Sequence, residues 1–202
     1  MDNWPTISFI IPTLGREEGL QRCIKSIESL DYPKEKIDTF IYNGDETVPE
    51  KVHKGYLESK GEYIVYASND VEFTPNSIKE ALLAANNLKK RIVAFNTGLV
   101  YPDNGNACEH FIIKRDLVPL IGGEIFDREF YHVGVDNLLR AKCIKMNEFC
   151  RCESAVVVHY HFSKGMAEFD KVYQKGWEMS RVTHDRELLA KKLSLCDGLI
   201  MI

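Results

Sequence analysis

Short apolar runs alternate with amphipathic stretches along most of this chain. The first run, ISFII at residues 7–11, is continuously apolar and rich in β-branched side chains, which is typical of a strand covered on both faces. Apolar positions then recur at helical spacing from Leu20 to Leu30, and IDTFIY at residues 37–42 predicts a second strand. A strand, a helix and a strand joined by short loops indicate a crossover connection and a parallel sheet.

The same two patterns continue further along the chain. A polar segment with Val52, Tyr56 and Leu57 facing inward predicts a short helix, and Thr74 before Pro75 is typical of a helix N-terminus. Further strands are predicted at residues 62–67, 92–95, 108–113 and 155–160, with residues 99–101 continuing the sheet into a turn at 102–105. Further helices are predicted at residues 48–60, 75–90, 115–121, 136–145 and 166–193.

Polar side chains follow three of these predicted strands. The residues concerned are Asp45, Ser68, Asn69, Asp70, His159 and His161. Because the carboxyl ends of parallel strands meet at one edge of a sheet, where open α/β sheets bind ligands, we expect these side chains to converge. Carboxylate oxygens together with ligand phosphates suit Mg²⁺ or Mn²⁺, and Mn²⁺ also accepts an imidazole.

Two other interpretations are open from the spacing alone. Asp70 can cap the turn that follows it, with the two histidines as partly buried residues at a strand end. Alternatively, Cys150 and Cys152 with His159 and His161 form a C-x-C…H-x-H zinc site, although zinc sites usually separate paired cysteines by two or more residues.

Composition narrows the class of protein. A chain of 202 residues, 45% hydrophobic and 28% charged, predicts a soluble globular domain. The net charge of −4 offers no basic footprint for nucleic acid. The chain lacks an apolar run of about 18 residues, and its N-terminus lacks the basic start of a signal peptide. We therefore expect a cytoplasmic protein without a transmembrane segment, whose six cysteines are mostly buried as small apolar residues.

Four stretches, taken in sequence order, give a more specific indication. They are ISFIIPTLGR, a strand ending near NGD, KGEYIVYASNDVEF, and CEHFIIKRDLVPLIGGEIFDREFYHVGVDNLLRAK. Over residues 7–162 the chain resembles the family 2-type glycosyltransferases of the GT-A fold, within the nucleotide-diphospho-sugar transferase superfamily. The resemblance implies an α/β fold with a mostly parallel central sheet flanked by helices. It also implies a single domain over residues 1–202, with a core at 7–162 and a C-terminal helical extension at 163–202.

The resemblance further implies roles on the donor side. A nucleotide-diphosphate sugar would be bound by Pro12, Thr13, Arg16, Asn43, Asp45, Lys54, Ser68 and Asn69. The family's acidic residue after the second strand aligns with Asn43 or with Asp45, and the register stays open. Ser68-Asn69-Asp70 looks like the D-x-D motif, in which Asp70 would bind a divalent cation, Mn²⁺ or Mg²⁺, and His161 would complete the metal site.

On the acceptor side, Asp136 at the start of VDNLLRAK looks like the general base that takes the proton of the acceptor hydroxyl. A structural cap at a helix N-terminus is the alternative for this residue. Gly122, Gly123 and Asp127 resemble the loop that frames the acceptor, which would be a glycan, a lipid or a protein. These roles imply an inverting, metal-assisted transfer of a hexosyl or related group in a single displacement.

Two departures from the family pattern keep other functions open. Ser68 stands where the first aspartate is expected, and the Glu-Asp pair expected around Asp136 is missing, with Glu124, Asp127 and Glu129 as fallback carboxylates. A catalytically degenerate nucleotide-binding module of the same fold is therefore one alternative. A nucleotidyltransferase is another, but PTLGREEG lacks the glycine-rich basic loop typical of that class.

Overall fold

The structure is a computed structural model that describes residues 4–98, 108–176 and 178–198. Its strands are β1 (Ile7–Thr13), β2 (Ile37–Asn43), β3 (Tyr63–Tyr66), β4 (Val71–Phe73), β5 (Ile92–Asn96), β6 (Phe111–Lys114) and β7 (Phe149–His159). Its α-helices are α1 (Glu17–Glu28), α2 (Val48–Glu58), α3 (Ser77–Leu88), α4 (Val135–Lys145), α5 (Lys171–Gly176) and α6 (Met179–Gly198). Short 3₁₀ segments cover Lys34–Lys36, Arg115–Ile121 and Phe162–Lys164.

The strands form one sheet with the order β2-β1-β3-β6-β5-β7-β4. β1 lies parallel between β2 and β3, with Ile7 opposite Ile37 on one side and Tyr63 on the other. β6 pairs antiparallel with both β3 and β5, β7 runs parallel to β5, and β4 runs antiparallel to β7. In the described part of the chain, only β6 and β4 therefore oppose the common strand direction. This confirms the predicted α/β fold with a mostly parallel sheet.

Alternate side chains of β1 enter two different cores. Phe9 packs edge-on against Phe73 in the core beneath α1 and α3, with ring centroids 5.4 Å apart. Ile10 belongs to the opposite core, which contains Phe111 and the buried side of α4. Every residue of β1 is buried. The prediction of a strand covered on both faces is therefore confirmed.

Two of the predicted helices needed correction. α3 begins at Ser77 with Asn76 at its N-cap, so the predicted start at Pro75 is wrong. The Thr74 hydroxyl instead donates to the Val156 carbonyl of β7 at 2.9 Å, which ties the segment after β4 to its neighbouring strand. In α2, Leu57 is 67% exposed, so its predicted inward orientation is wrong.

Two strand boundaries also differ from the prediction. β6 begins at Phe111 rather than residue 108, because the chain still bends at Glu109 and His110. β7 begins at Phe149, six residues before the predicted start, because its first half pairs with β5 although exposed polar residues interrupt its apolar pattern. The predicted residues 99–101 and the turn at 102–105 lie outside the described residues.

The predicted helix at 166–193 is divided into α5 and α6. Among the helices of the described ranges, none is long and apolar enough to cross a bilayer.

The zinc interpretation is wrong. Cys150 and Cys152 lie near the start of β7, whereas His159 is the last residue of the same strand. Within residues 4–98, 108–176 and 178–198, no group of three or more His, Cys, Asp or Glu side chains is placed to hold a metal ion.

Candidate functional site

A cavity of about 560 Å³ opens where the parallel strands β1 and β3 end. Its volume lies within the range of roughly 300–1,000 Å³ that is common for small-molecule sites. The wall comes from the ends of β1, β3 and β7, the loops before α2, β6 and α4, and the helices α5 and α6. Segments that are far apart in sequence thus meet at the carboxyl edge of the sheet, where ligands of open α/β folds bind.

Asp70 is buried in this cavity and contacts four side chains. The hydroxyls of Ser68 and Tyr173 donate to it, the latter at 2.9 Å from Oδ2. His159 Nε2 lies 3.5 Å from Oδ1, and Arg16 Nη1 lies 3.5 Å from Oδ2. Burial alone would raise the pKa of Asp70, but His159 and the Ser68 hydroxyl overcome this effect and hold the pKa well below its usual range. Asp70 is therefore a fixed negative charge in the cavity.

His159 lies between two carboxylates. Its Nδ1 is 3.4 Å from Glu109 Oε2, while its Nε2 faces Asp70. Burial would lower the pKa of His159, but the two carboxylates raise it to about 9. Glu109 Oε2 also accepts a hydrogen bond from the Thr97 hydroxyl at 2.7 Å. The ring of His161 lies beside that of His159, with centroids 5.1 Å apart.

A lysine and an asparagine tie the strand ends together beneath the site. Lys51 is buried and donates from Nζ to the Thr13 carbonyl at 2.8 Å and to the Gly44 carbonyl at 2.6 Å. Asn69 Nδ2 donates to Thr13 Oγ1 at 2.7 Å. A Cβ on Gly19 would lie 2.8 Å from the Asn69 carbonyl oxygen, so only glycine lets α1 come this close. The ends of β1, β2 and β3 are thereby held in one arrangement.

Asp136 lies in the first turn of α4, where Gly134 at a φ of 82° is the N-cap. Its side chain lines the cavity together with Tyr66. Burial and the charge of Glu109 raise the pKa of Asp136 to about 6, although the backbone N–H groups at the helix start and the charge of Arg140 oppose the rise. Asp136 is thus a carboxylate that changes its protonation state near neutral pH.

The segment around α5 covers the loop after β1. Arg16 donates to Asp170 through Nε at 3.0 Å and Nη2 at 2.7 Å. The guanidinium carbon of Arg16 lies 3.6 Å from the ring centroid of Tyr173. Lys175 forms an ion pair with Asp45 at the cavity rim. The C-terminal part of the chain therefore contributes directly to the site.

Comparisons with known proteins identify the architecture. No protein-family model matches the chain, and none of the curated proteins matches it in sequence. Several solved structures, however, match the chain in fold. The mannosyltransferase PcManGT from Pyrobaculum calidifontis, in complex with GDP-Man and Mn²⁺, superimposes with a TM-score of 0.64 at 14% identity over 78% of this chain. The 1–349 fragment of TarS from S. aureus, in complex with UDP, superimposes with a TM-score of 0.61 at 13% identity over 75% of this chain.

The chain has the GT-A fold. It spans only 57% of PcManGT and 59% of the TarS fragment. TarS has also been solved with UDP-GlcNAc, a structure that matches with a TM-score of 0.60 at 12% identity, over 75% of this chain and 57% of that one.

The cavity described above, here called the GT-A cavity, contains most of the residues that the sequence analysis assigned to donor binding, metal binding and the general base. Its wall includes Pro12, Thr13, Arg16, Asp45, Ser68, Asn69, Asp70, Asp136 and His161. Of the two candidates at the end of β2, Asp45 is in the wall and Asn43 is not among its residues.

The remaining predicted site residues are placed elsewhere. Lys54 is exposed on α2, and its Nζ lies 5.4 Å from the ring centroid of Tyr42 rather than in the GT-A cavity wall. Asp127 forms an ion pair with Lys192 of α6. Gly122 and Gly123 follow the 3₁₀ segment Arg115–Ile121 with positive φ values of 119° and 84°, which makes them turn residues. The structure does not bring these residues into the wall of the cavity.

Sequence reasoning missed several residues of the cavity wall. Glu109 and His110 precede β6 within a predicted strand, and Tyr173 lies in the predicted helix at 166–193, with no role assigned to it. The signal that could have found Glu109 is a Glu-His pair directly before a buried strand, at the same sheet edge as Asp70 and His159.

The residues around Asp70 fit a divalent cation that takes its remaining ligands from a diphosphate. Asp70 offers a carboxylate oxygen, and His161 in the same cavity wall offers an imidazole whose pKa is lowered by burial and by the charge of His159. Mg²⁺ and related ions are commonly held by one or two carboxylates together with substrate phosphates. Because the described residues contain no set of three or more metal-binding side chains, the ion would depend on the ligand for the rest of its coordination.

Proposed function

We propose that this chain transfers a sugar from a nucleotide-diphosphate sugar to an acceptor hydroxyl of a glycan, a lipid or a protein. The observation that carries the proposal is that one cavity of a GT-A fold contains two carboxylates of opposite character. Asp70 stays ionised, whereas the pKa of Asp136 is raised to about 6. Titratable groups whose surroundings push their pKa values apart commonly take different chemical roles.

The donor side of the proposal lies around β1 and β3. The nucleotide diphosphate would lie against Thr13, Asn69 and Arg16, whose planar guanidinium suits phosphate oxygens. Asp70 and His161 would hold the divalent cation, while His159, whose pKa is raised by two carboxylates, would stay a cation between Asp70 and Glu109. When bound, that ion would supply electrostatic stabilisation to the leaving diphosphate.

The acceptor side of the proposal lies around the start of α4. The acceptor oxygen would form a bond to the anomeric carbon while the bond from that carbon to the diphosphate oxygen breaks, and the bonding pair leaves with the nucleoside diphosphate. The proton of the acceptor hydroxyl would pass to the carboxylate of Asp136. A base with a pKa of about 6 is ionised at neutral pH and still basic enough to accept a proton. Attack opposite the leaving group inverts the anomeric carbon.

The test is release of nucleoside diphosphate from a panel of nucleotide sugars, with Mn²⁺ and with simple acceptors. The wild-type chain should turn over at least one donor, and Asp70→Asn should reduce both donor binding and turnover. Asp136→Asn should reduce transfer by about 100-fold or more while nucleoside diphosphate binding, measured by calorimetry, persists. The surface variant Asp116→Asn is the matched control and should leave both quantities unchanged.

Other outcomes would contradict the proposal in distinct ways. Pyrophosphate as the product would indicate a nucleotidyltransferase. Binding of a nucleotide without turnover of any donor would indicate a degenerate module of the same fold. Transfer that survives in Asp136→Asn would place the base at another residue.

A further inference from the structure

A carboxylate on α6 holds the loop that leads into α4. Asp185 is fully buried, with 0% of its surface exposed. Its Oδ1 accepts a hydrogen bond from the backbone N–H of Tyr131 at 2.9 Å. Its Oδ2 accepts from the backbone N–H groups of His132 and Val133, both at 2.8 Å. Three successive amides around one carboxylate form an anion-binding concavity, here filled by the protein's own side chain.

α6 contacts the same loop at a second point. Gly134 has a φ of +82°, and a Cβ at this position would lie 2.9 Å from Leu189 Cδ2. α6 therefore packs directly on the residue that caps α4. The guanidinium carbon of Arg181 also lies 5.2 Å from the ring centroid of Tyr131. α6 therefore contacts the loop at each residue from Tyr131 to Gly134.

This loop is part of the cavity wall and continues into the residue assigned as base. Residues 131–137 all line the cavity. The Gly134 carbonyl accepts the N–H of Leu138 at 3.0 Å, the first helical bond of α4. Val133, the last residue whose amide Asp185 holds, is only three residues before Asp136. A shift of these amides therefore moves Asp136 as well.

We propose that Asp185 is a positioning residue for sugar transfer: by holding residues 131–133 it sets where the Asp136 carboxylate stands relative to the donor. Asp185 does not contact the substrate in this role. The inference rests on the proposed function, because it concerns the geometry of the base. It also makes α6, which lies beyond the stretch that resembles glycosyltransferases, a working part of the site.

The test compares Asp185→Asn with Glu187→Gln, a variant of an exposed glutamate on the same helix. The asparagine has nearly the same shape, but its amide nitrogen would face a backbone N–H and cannot accept its hydrogen bond. We expect kcat for transfer to fall by about 100-fold, since misplacement of a catalytic group by about 1 Å has that effect. The KM for the donor and the affinity for nucleoside diphosphate should change less than about twofold.

Dividing kcat by the number of nucleoside diphosphate sites per chain separates a positioning defect from a simple loss of structure. A folding defect lowers the number of nucleoside diphosphate sites per chain and kcat in the same proportion, whereas a positioning defect leaves about one site per chain and lowers kcat for each site. If Asp185→Asn does not fold, Leu189→Ala loosens the same loop at Gly134 and should lower kcat for each site in the same direction. An unchanged kcat for each site in the variant that folds would overturn the proposal.

A second readout does not depend on turnover. Amide hydrogen exchange of the peptide covering residues 130–139 should accelerate in Asp185→Asn and stay unchanged in Glu187→Gln. Unchanged exchange in Asp185→Asn would overturn the proposal. Faster exchange together with a wild-type chain that transfers no sugar would mean that the proposed function has failed, and the role of Asp185 in transfer would fail with it, whereas its anchoring of the loop would stand.

Discussion

Burial and the charge of Glu109 raise the pKa of Asp136, whereas the charge of Arg140 lowers it. Because a general base works in its ionised form, transfer should rise with pH through about 6 and then level off. A pH–rate profile at saturating donor measures this acid limb.

Glu109→Gln tests the cause of this pKa directly. Removing the negative charge of Glu109 should lower the pKa of Asp136 and move the acid limb to lower pH. The matched control is Glu124→Gln, which removes a charge that is paired with Arg128 and is not in the cavity wall. An acid limb that stays in place in Glu109→Gln would show that another group controls the profile.

Single residues were predictable from the sequence where they end an apolar strand. Asp70 was found because a polar cluster interrupts a strong strand pattern, whereas Asp136 was assigned only through the resemblance to family 2-type glycosyltransferases. Glu109 was missed because its Glu-His pair was assigned to the predicted strand itself, and Tyr173 was missed because no local pattern marks it. Their role depends on which strands and helices become neighbours, and that is a property of the tertiary fold.

At the scale of elements, Lys51 joins α2 to the ends of β1 and β2. Lys51→Met should lower the free energy of unfolding by about 2–3 kcal/mol, because a buried and a part-buried carbonyl lose a charged donor. Urea denaturation measures the change. Lys54→Met, one turn along α2 and exposed, should stay within about 0.5 kcal/mol of the wild type.

The same pair of variants tests the donor assignment of Lys54. If the sequence-based prediction is right, Lys54→Met weakens nucleoside diphosphate binding although Lys54 lies outside the cavity wall. An unchanged affinity would agree with the position of Lys54 over the ring of Tyr42.

The contact between α5 and Asp70 gives a prediction of its own. The Tyr173 hydroxyl donates to Oδ2 of Asp70, the carboxylate that would also hold a divalent cation. Tyr173→Phe should therefore bind Mn²⁺ with nucleoside diphosphate about 3–10-fold more tightly, since a hydrogen bond worth about 1 kcal/mol no longer competes. Calorimetry measures the affinity.

The control for this variant is Tyr160→Phe, whose hydroxyl donates to Glu72 rather than to a cavity carboxylate. Weaker binding in Tyr173→Phe would indicate that the hydroxyl supports the bound ligand instead of competing with it.

At the scale of the whole molecule, β1 joins the two cores into one unit. Phe9→Ala on one face and Phe111→Ala on the other should each lower the free energy of unfolding by about 3–5 kcal/mol. Both variants should still unfold in one transition, because the central strand belongs to both cores. Circular dichroism and intrinsic fluorescence with coincident midpoints would check this, and separated midpoints would contradict it.

The overall fold was predictable because the strand and helix periods in the first half of the chain are strong. The second half of the chain was less predictable. The exposed Glu153 and Ser154 interrupt the apolar pattern of β7, and its pairing with β5 and β4 involves partners far away in sequence. Asp170 before α5 accepts a hydrogen bond from Arg16, and Asp185 of α6 accepts one from the loop before α4; no helical period encodes such long-range contacts.

The hydrogen bonds of Asp185 also set an order of events during synthesis. The last strand of the sheet ends at His159, and Asp185 emerges from the ribosome roughly two dozen residues later. At about 5–20 residues per second, that is a delay of about one to five seconds. During this interval a nascent chain can complete its sheet, but the loop before α4 still lacks its anchoring carboxylate. Binding of a nucleotide and competence for transfer would then be acquired at different moments of the chain's growth.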